Sequence, residues 1–105
     1  MLEVLADVVT ERLHRRIRTD LPGEQAAQGV VGALRELVVD LGPDGTRGTT
    51  PERLTAAVVL FAQGDIQRVR SAVRLALTDW RDLLMAADLG DENWPARLDE
   101  ELGEH

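Results

Sequence analysis

Between Pro51 and Gln63 the chain carries Leu54, Ala56, Ala57, Val58, Val59, Leu60, Phe61 and Ala62, an apolar stretch with no polar side. Thr50-Pro51-Glu52 ahead of it reads as an N-cap, a proline at the first helical position and an acidic first turn. A helix that is apolar nearly all round can be solvated only at large cost, so it belongs in the middle of a helical assembly. That one segment dictates much of the fold: amphipathic partners must cover it on several sides.

The rest of the chain supplies such partners. Residues 2–18 place Leu2, Leu5, Val8, Val9, Leu13 and Ile17 on one side at helical spacing and Glu3, Asp7, Thr10, His14 and Arg18 on the other. A break at Thr19-Asp20-Leu21-Pro22-Gly23 leads to a second helix over 22–41, with Ala26, Ala27, Val30, Leu34, Leu37, Val38 and Leu41 as its buried side. Gly42-Pro43 stops it. Residues 42–50 hold glycines, a proline and polar residues and read as a surface loop. After the 51–63 helix, Gly64-Asp65 forms a turn and a cap, and a helix over 65–89 is expected to run unbroken. Ile66, Val69, Val73, Ala76, Leu77, Trp80, Leu83, Leu84 and Ala87 make its core stripe, and it is expected to be the spine of the fold. Trp94, Leu98 and Leu102 then recur every four residues in a short helix over 94–102. Nothing alternates with period two. The expected fold is therefore all-α, a four-helix bundle-like single domain with a short fifth helix at its C-terminal end.

Composition narrows the chemistry. All 12 basic residues are arginine, and the chain has no Lys, Cys or Tyr, one Ser (Ser71) and two His (His14 and His105). Schiff-base and P-loop lysines, thiol nucleophiles and cysteine zinc sites are thereby excluded. No enzymatic activity and no cofactor are expected. The net charge is −7, and seven carboxylates against the single Arg97 fall in residues 88–105. This balance makes nucleic acid an unlikely partner, since phosphate neutralisation dominates such binding. Glu3, Asp7 and Glu11 interrupt the apolar positions of the first twenty residues, so neither a secretory leader nor a membrane span is expected and a cytoplasmic location follows.

Several constellations remain to be weighed. Glu11 and His14 have the E-x-x-H spacing of di-iron carboxylate bundles, but such a site needs two copies and His14 lies away from the apolar stripe, so a solvated histidine is the better reading. Arg47, Thr50 and Arg53 flank a glycine-bearing loop before a helix N-terminus and form a candidate anion site. A helix-turn-helix over 55–77 fits poorly, because Gln63 and Asp65 stand where apolar residues are needed; the cluster Arg12, Arg15, Arg16 and Arg18 or the ridge Arg70, Arg74 and Arg81 keeps a nucleic-acid regulator as an alternative, and a dimeric carboxylate-metal protein is another. Arg70, Arg74 and Arg81 form a charged ridge whose like charges repel at helical spacing. The acidic tail is expected to clamp onto that ridge, with Asp99, Glu100 or Glu101 facing it. Finally, Gln25, Gly29, Gly32 and Glu36 make a narrow stripe opposite the apolar side of the second helix, where two interior glycines cost about 1 kcal/mol each relative to alanine. That stripe is the candidate interface of a homodimer. The leading functional expectation is a small helical module that binds another protein, or itself.

Overall fold

A computed structural model of the chain describes residues 9–45 and 49–103. Among these residues there are five helices and no strand: α1 (Glu11–Asp20), α2 (Glu24–Gly45), α3 (Pro51–Ala62), α4 (Ile66–Ala86) and α5 (Trp94–Leu102). The fold is all-α and forms one domain around α3, which touches each of the other four helices. Leu54, Thr55, Ala56, Ala57, Val58 and Val59 are consecutive buried residues, as a helix apolar on every side requires. Its start follows the local chemistry: Thr50 accepts a hydrogen bond from the Arg53 amide at 3.1 Å, and Pro51 opens the first turn.

The turn between α3 and α4 has room for glycine alone. Gln63 (φ 50°) and Gly64 (φ 83°) are both left-handed, and a Cβ on Gly64 would lie 2.8 Å from the carbonyl oxygen of Asp20 at the end of α1. This close approach locks the α3–α4 turn to α1. Asp65 then caps α4 by accepting from the Gln67 amide at 2.8 Å.

Three expectations about helix limits change. Of the helix expected over 2–18, the described part begins at Glu11 and runs on to Asp20; Val9 and Thr10 are not helical, and residues 1–8 lie outside the described ones. The Thr10 hydroxyl, which would cap α1, instead donates to Glu52 of α3 at 2.6 Å. In α2 the expected stop is visible as a break at Gly42 (φ 67°, ψ 179°), although helical turns resume through Gly45.

The third change is the largest. α4 is not a continuous spine: Asp79 is extended (φ −158°, ψ 95°), and its carboxylate accepts from the Arg81 amide at 3.1 Å, capping a new start. An extended residue shifts the helical phase. Leu77 and Leu84 would share a face in an unbroken helix; here Leu84 is buried and Leu77 is 46% exposed. Of the expected α4 stripe, Val69, Ala76, Leu83 and Leu84 are buried and Ile66, Val73, Trp80 and Ala87 half-buried, as are Leu60 and Phe61 of α3. α4 ends at Ala86 through paired bonds from the Leu89 amide to Leu84 and from Asp88 (φ 61°) to Met85, with Leu89 tucked under the core.

Candidate functional site

The charges of the tail settle first, because they decide which arginines remain available. α5 packs on α1 and α3 and not on α4, burying Leu98 and Leu102 and half-burying Trp94. Its carboxylates therefore meet the first helix and not the Arg70/Arg74/Arg81 ridge, which corrects the expected clamp. Arg12, only 5% exposed, joins three helices. It donates to Glu52 through Nε (2.9 Å) and Nη2 (2.7 Å), to Asp99 through Nη1 (2.6 Å) and to the Gly103 carbonyl (3.0 Å). These bonds, the one to Glu52 foremost, raise the Arg12 pKa above its ordinary value against the opposing effect of burial. Arg16 reaches Asp20 and the Glu101 carbonyl, and Arg97 reaches Asp88, Glu100 and Glu101. Two members of the first-helix basic cluster are thus consumed internally.

The candidate anion site is engaged in the same way. Arg53 donates Nε and an Nη to the carbonyl of Leu89 at 2.9 and 2.7 Å, and its guanidinium lies 5.0 Å from the Trp94 ring centre. Its pKa is lowered by desolvation. The Thr50 hydroxyl serves the cap already described, and Arg47 falls outside the described residues. Glu11 is exposed and His14 half-buried, and no group of three or more His, Asp or Glu among the described residues is arranged to hold a metal ion. No helix among them is long and apolar enough to cross a membrane.

What remains is the outer face of α2 and its border with α4. Gln25, Gly29, Gly32 and Glu36 are all exposed, and a Cβ on either glycine would meet nothing within 4 Å. The two glycines therefore serve no close approach among the described residues. Val39, one turn beyond Glu36 on the same line, is 77% exposed. On one flank of this line a groove of about 380 Å³ opens between α2 and α4. Ala26, Val30, Ala33, Ile66 and Val69 give it an apolar lining, and Gln25, Gly29 and Arg70 complete its rim.

Two features that are separate in the sequence, the glycine stripe and the arginine ridge, thus converge at Gly29 and Arg70. The side chains of Arg70 and Arg74 are exposed and make no hydrogen bond or ion pair among the described residues. Arg81 differs, lying 5.1 Å from the Trp80 ring centre. Sequence reasoning missed the burial of Arg12. It also missed a second cavity on the opposite flank of α2, for which the only sequence signal is the apolar-polar alternation of His14, Ile17, Arg18 and Leu21. No family model matches this chain, and neither does any curated protein or solved structure.

Proposed function

We propose that the protein is a small non-enzymatic interaction module that associates with a second copy of itself along the outer face of α2. The observation that carries this reading is the exposed line of Gln25, Gly29, Gly32, Glu36 and Val39, whose two glycines meet nothing among the described residues. If two α2 helices cross antiparallel with Gly29 of one against Gly32 of the other, Gln25 falls opposite the second copy's Glu36. The same contacts recur across the two-fold axis, as an isologous interface demands.

Each contact answers something left open in the single chain. The glycines let the backbones approach, which explains two costly residues in mid-helix. Glu36 of the second copy arrives at the rim that Gln25 shares with Arg70, supplying the carboxylate that the tail does not. A different protein carrying an acidic, small-residue helix would fit the same face, and that is the alternative outcome of the test.

Cysteine chemistry provides that test, since the native chain has no cysteine to interfere. A Gln25→Cys/Glu36→Cys variant should form an intermolecular disulfide under mild oxidation, and Gly32→Leu in that background should abolish it. Absence of cross-linking at high protein concentration would reject the register.

A further inference from the structure

The groove of about 380 Å³ between α2 and α4 is within the size range of small-ligand sites, and its chemistry is one-sided. Ala26, Ala33 and Ile66, all half-buried, give it open apolar surface, over a floor closed by Val30 and Val69. Arg70 is the single charged residue among the described ones that line it, and Gln25 offers an amide donor on the same rim. Both side chains are exposed, and neither makes a hydrogen bond or ion pair among the described residues. Two carboxylates near in sequence are placed elsewhere: Asp65 caps α4 through the Gln67 amide, and Glu24 lines the cavity on the other flank of α2. The groove also lies at the N-terminal ends of α2 and α4, where the helix dipoles favour an anion.

We infer that this groove binds a small monocarboxylate with an apolar body, the body on Ala26, Ala33 and Ile66 and the carboxylate against the guanidinium of Arg70. One unpaired positive charge, with no carboxylate in the lining to oppose it, matches one negative charge. A planar guanidinium meets a carboxylate in two parallel hydrogen bonds, at greatest advantage where an apolar wall excludes water from one side. A cation would be repelled there, and a neutral molecule would leave the charge of Arg70 unused. In the proposed pair the second copy's Glu36 approaches the same guanidinium, so ligand and second copy are alternatives at Arg70. That consequence rests on the pairing; the ligand site itself does not.

The test uses the full chain, isotopically labelled and kept at a concentration where sedimentation gives the 11.6 kDa species alone, so that its outcome does not depend on pairing. It is titrated with octanoate, octan-1-ol and octylamine while amide chemical shifts are followed. Octanoate should shift the amides of Ala26, Gly29, Ala33 and Val69, and octan-1-ol and octylamine should bind at least about tenfold more weakly. Arg70→Gln should weaken octanoate at least about tenfold with an unchanged melting temperature, because Arg70 is exposed and bonds to nothing in the fold. Gly29→Trp, at a rim position where a Cβ meets nothing within 4 Å, should block binding in a folded protein. Octanoate shifts confined to other regions, octan-1-ol binding as tightly as octanoate, or undiminished binding to Arg70→Gln would each overturn the ligand site and leave the pairing standing. A chain that binds octanoate in this way and never pairs would uphold the site and reject the pairing.

Discussion

Arg12 and Glu52 meet in a two-pronged ion pair that ties α1 to α3, with Nε to Oε2 at 2.9 Å and Nη2 to Oε1 at 2.7 Å. Asp99 completes the junction from α5. An exposed pair contributes little, whereas breaking a buried one strands a charge. Arg12→Ala should therefore lower stability by about 3–5 kcal/mol in denaturant unfolding. Arg12→Lys should recover only part of it, because an ammonium cannot span both oxygens of Glu52 while also reaching Asp99.

The pH dependence of that junction has a definite sign. The folded pKa of Arg12 is raised, chiefly by its bonds to Glu52, so its stabilisation is complete below the ordinary arginine range and is lost only as pH rises above it. The difference in melting temperature between the native chain and Arg12→Ala should be flat from about pH 6 to about pH 10. A difference that shrinks steadily across that interval would contradict the buried pairing.

Gly64 is the least replaceable residue of the α3–α4 turn. Alanine there meets a left-handed backbone and a carbonyl oxygen 2.8 Å from its Cβ. Gly64→Ala should cost at least about 2 kcal/mol, whereas Gly29→Ala, where the added methyl meets nothing and helix propensity improves, should leave the isolated chain as stable or more so. Thermal melts of the two variants, taken at low protein concentration, separate these outcomes.

Leucines that look equivalent in sequence should behave differently. Leu98 is fully buried and Leu77 is 46% exposed. Leu98→Ala should cost about 2–5 kcal/mol, and Leu77→Ala should stay within about 0.5 kcal/mol. In the tail, Trp94→Ala removes a half-buried ring that stacks on Arg53, so it should destabilise more than Glu100→Gln, which removes one exposed ion pair.

These contrasts show where sequence reasoning reaches. Local caps and breaks were legible because their chemistry is local: Thr50-Pro51-Glu52 starts α3, Gly64-Asp65 turns the chain, and the all-round apolar pattern places α3 at the centre. The break at Asp79 was hidden because Thr78-Asp79 falls on the polar side of a regular stripe, where a capping pair and two solvated residues look the same. The destination of the tail was hidden for another reason. Charge complementarity allowed its carboxylates either the Arg70 ridge or α1, and burial of Leu98 and Leu102 against α1 and α3 decided it. The placing of Gly29 and Arg70 on one groove is likewise a product of packing, since 41 positions separate them and neither pattern points to the other.

Sedimentation equilibrium over a range of protein concentrations tests the proposed self-association most directly. The account predicts a reversible shift from the 11.6 kDa chain toward twice that mass. Glu36→Arg should abolish the shift by placing like charge against Arg70, and combining it with Arg70→Glu should restore it. A single species at 11.6 kDa up to millimolar concentration, unaffected by these substitutions, would contradict it.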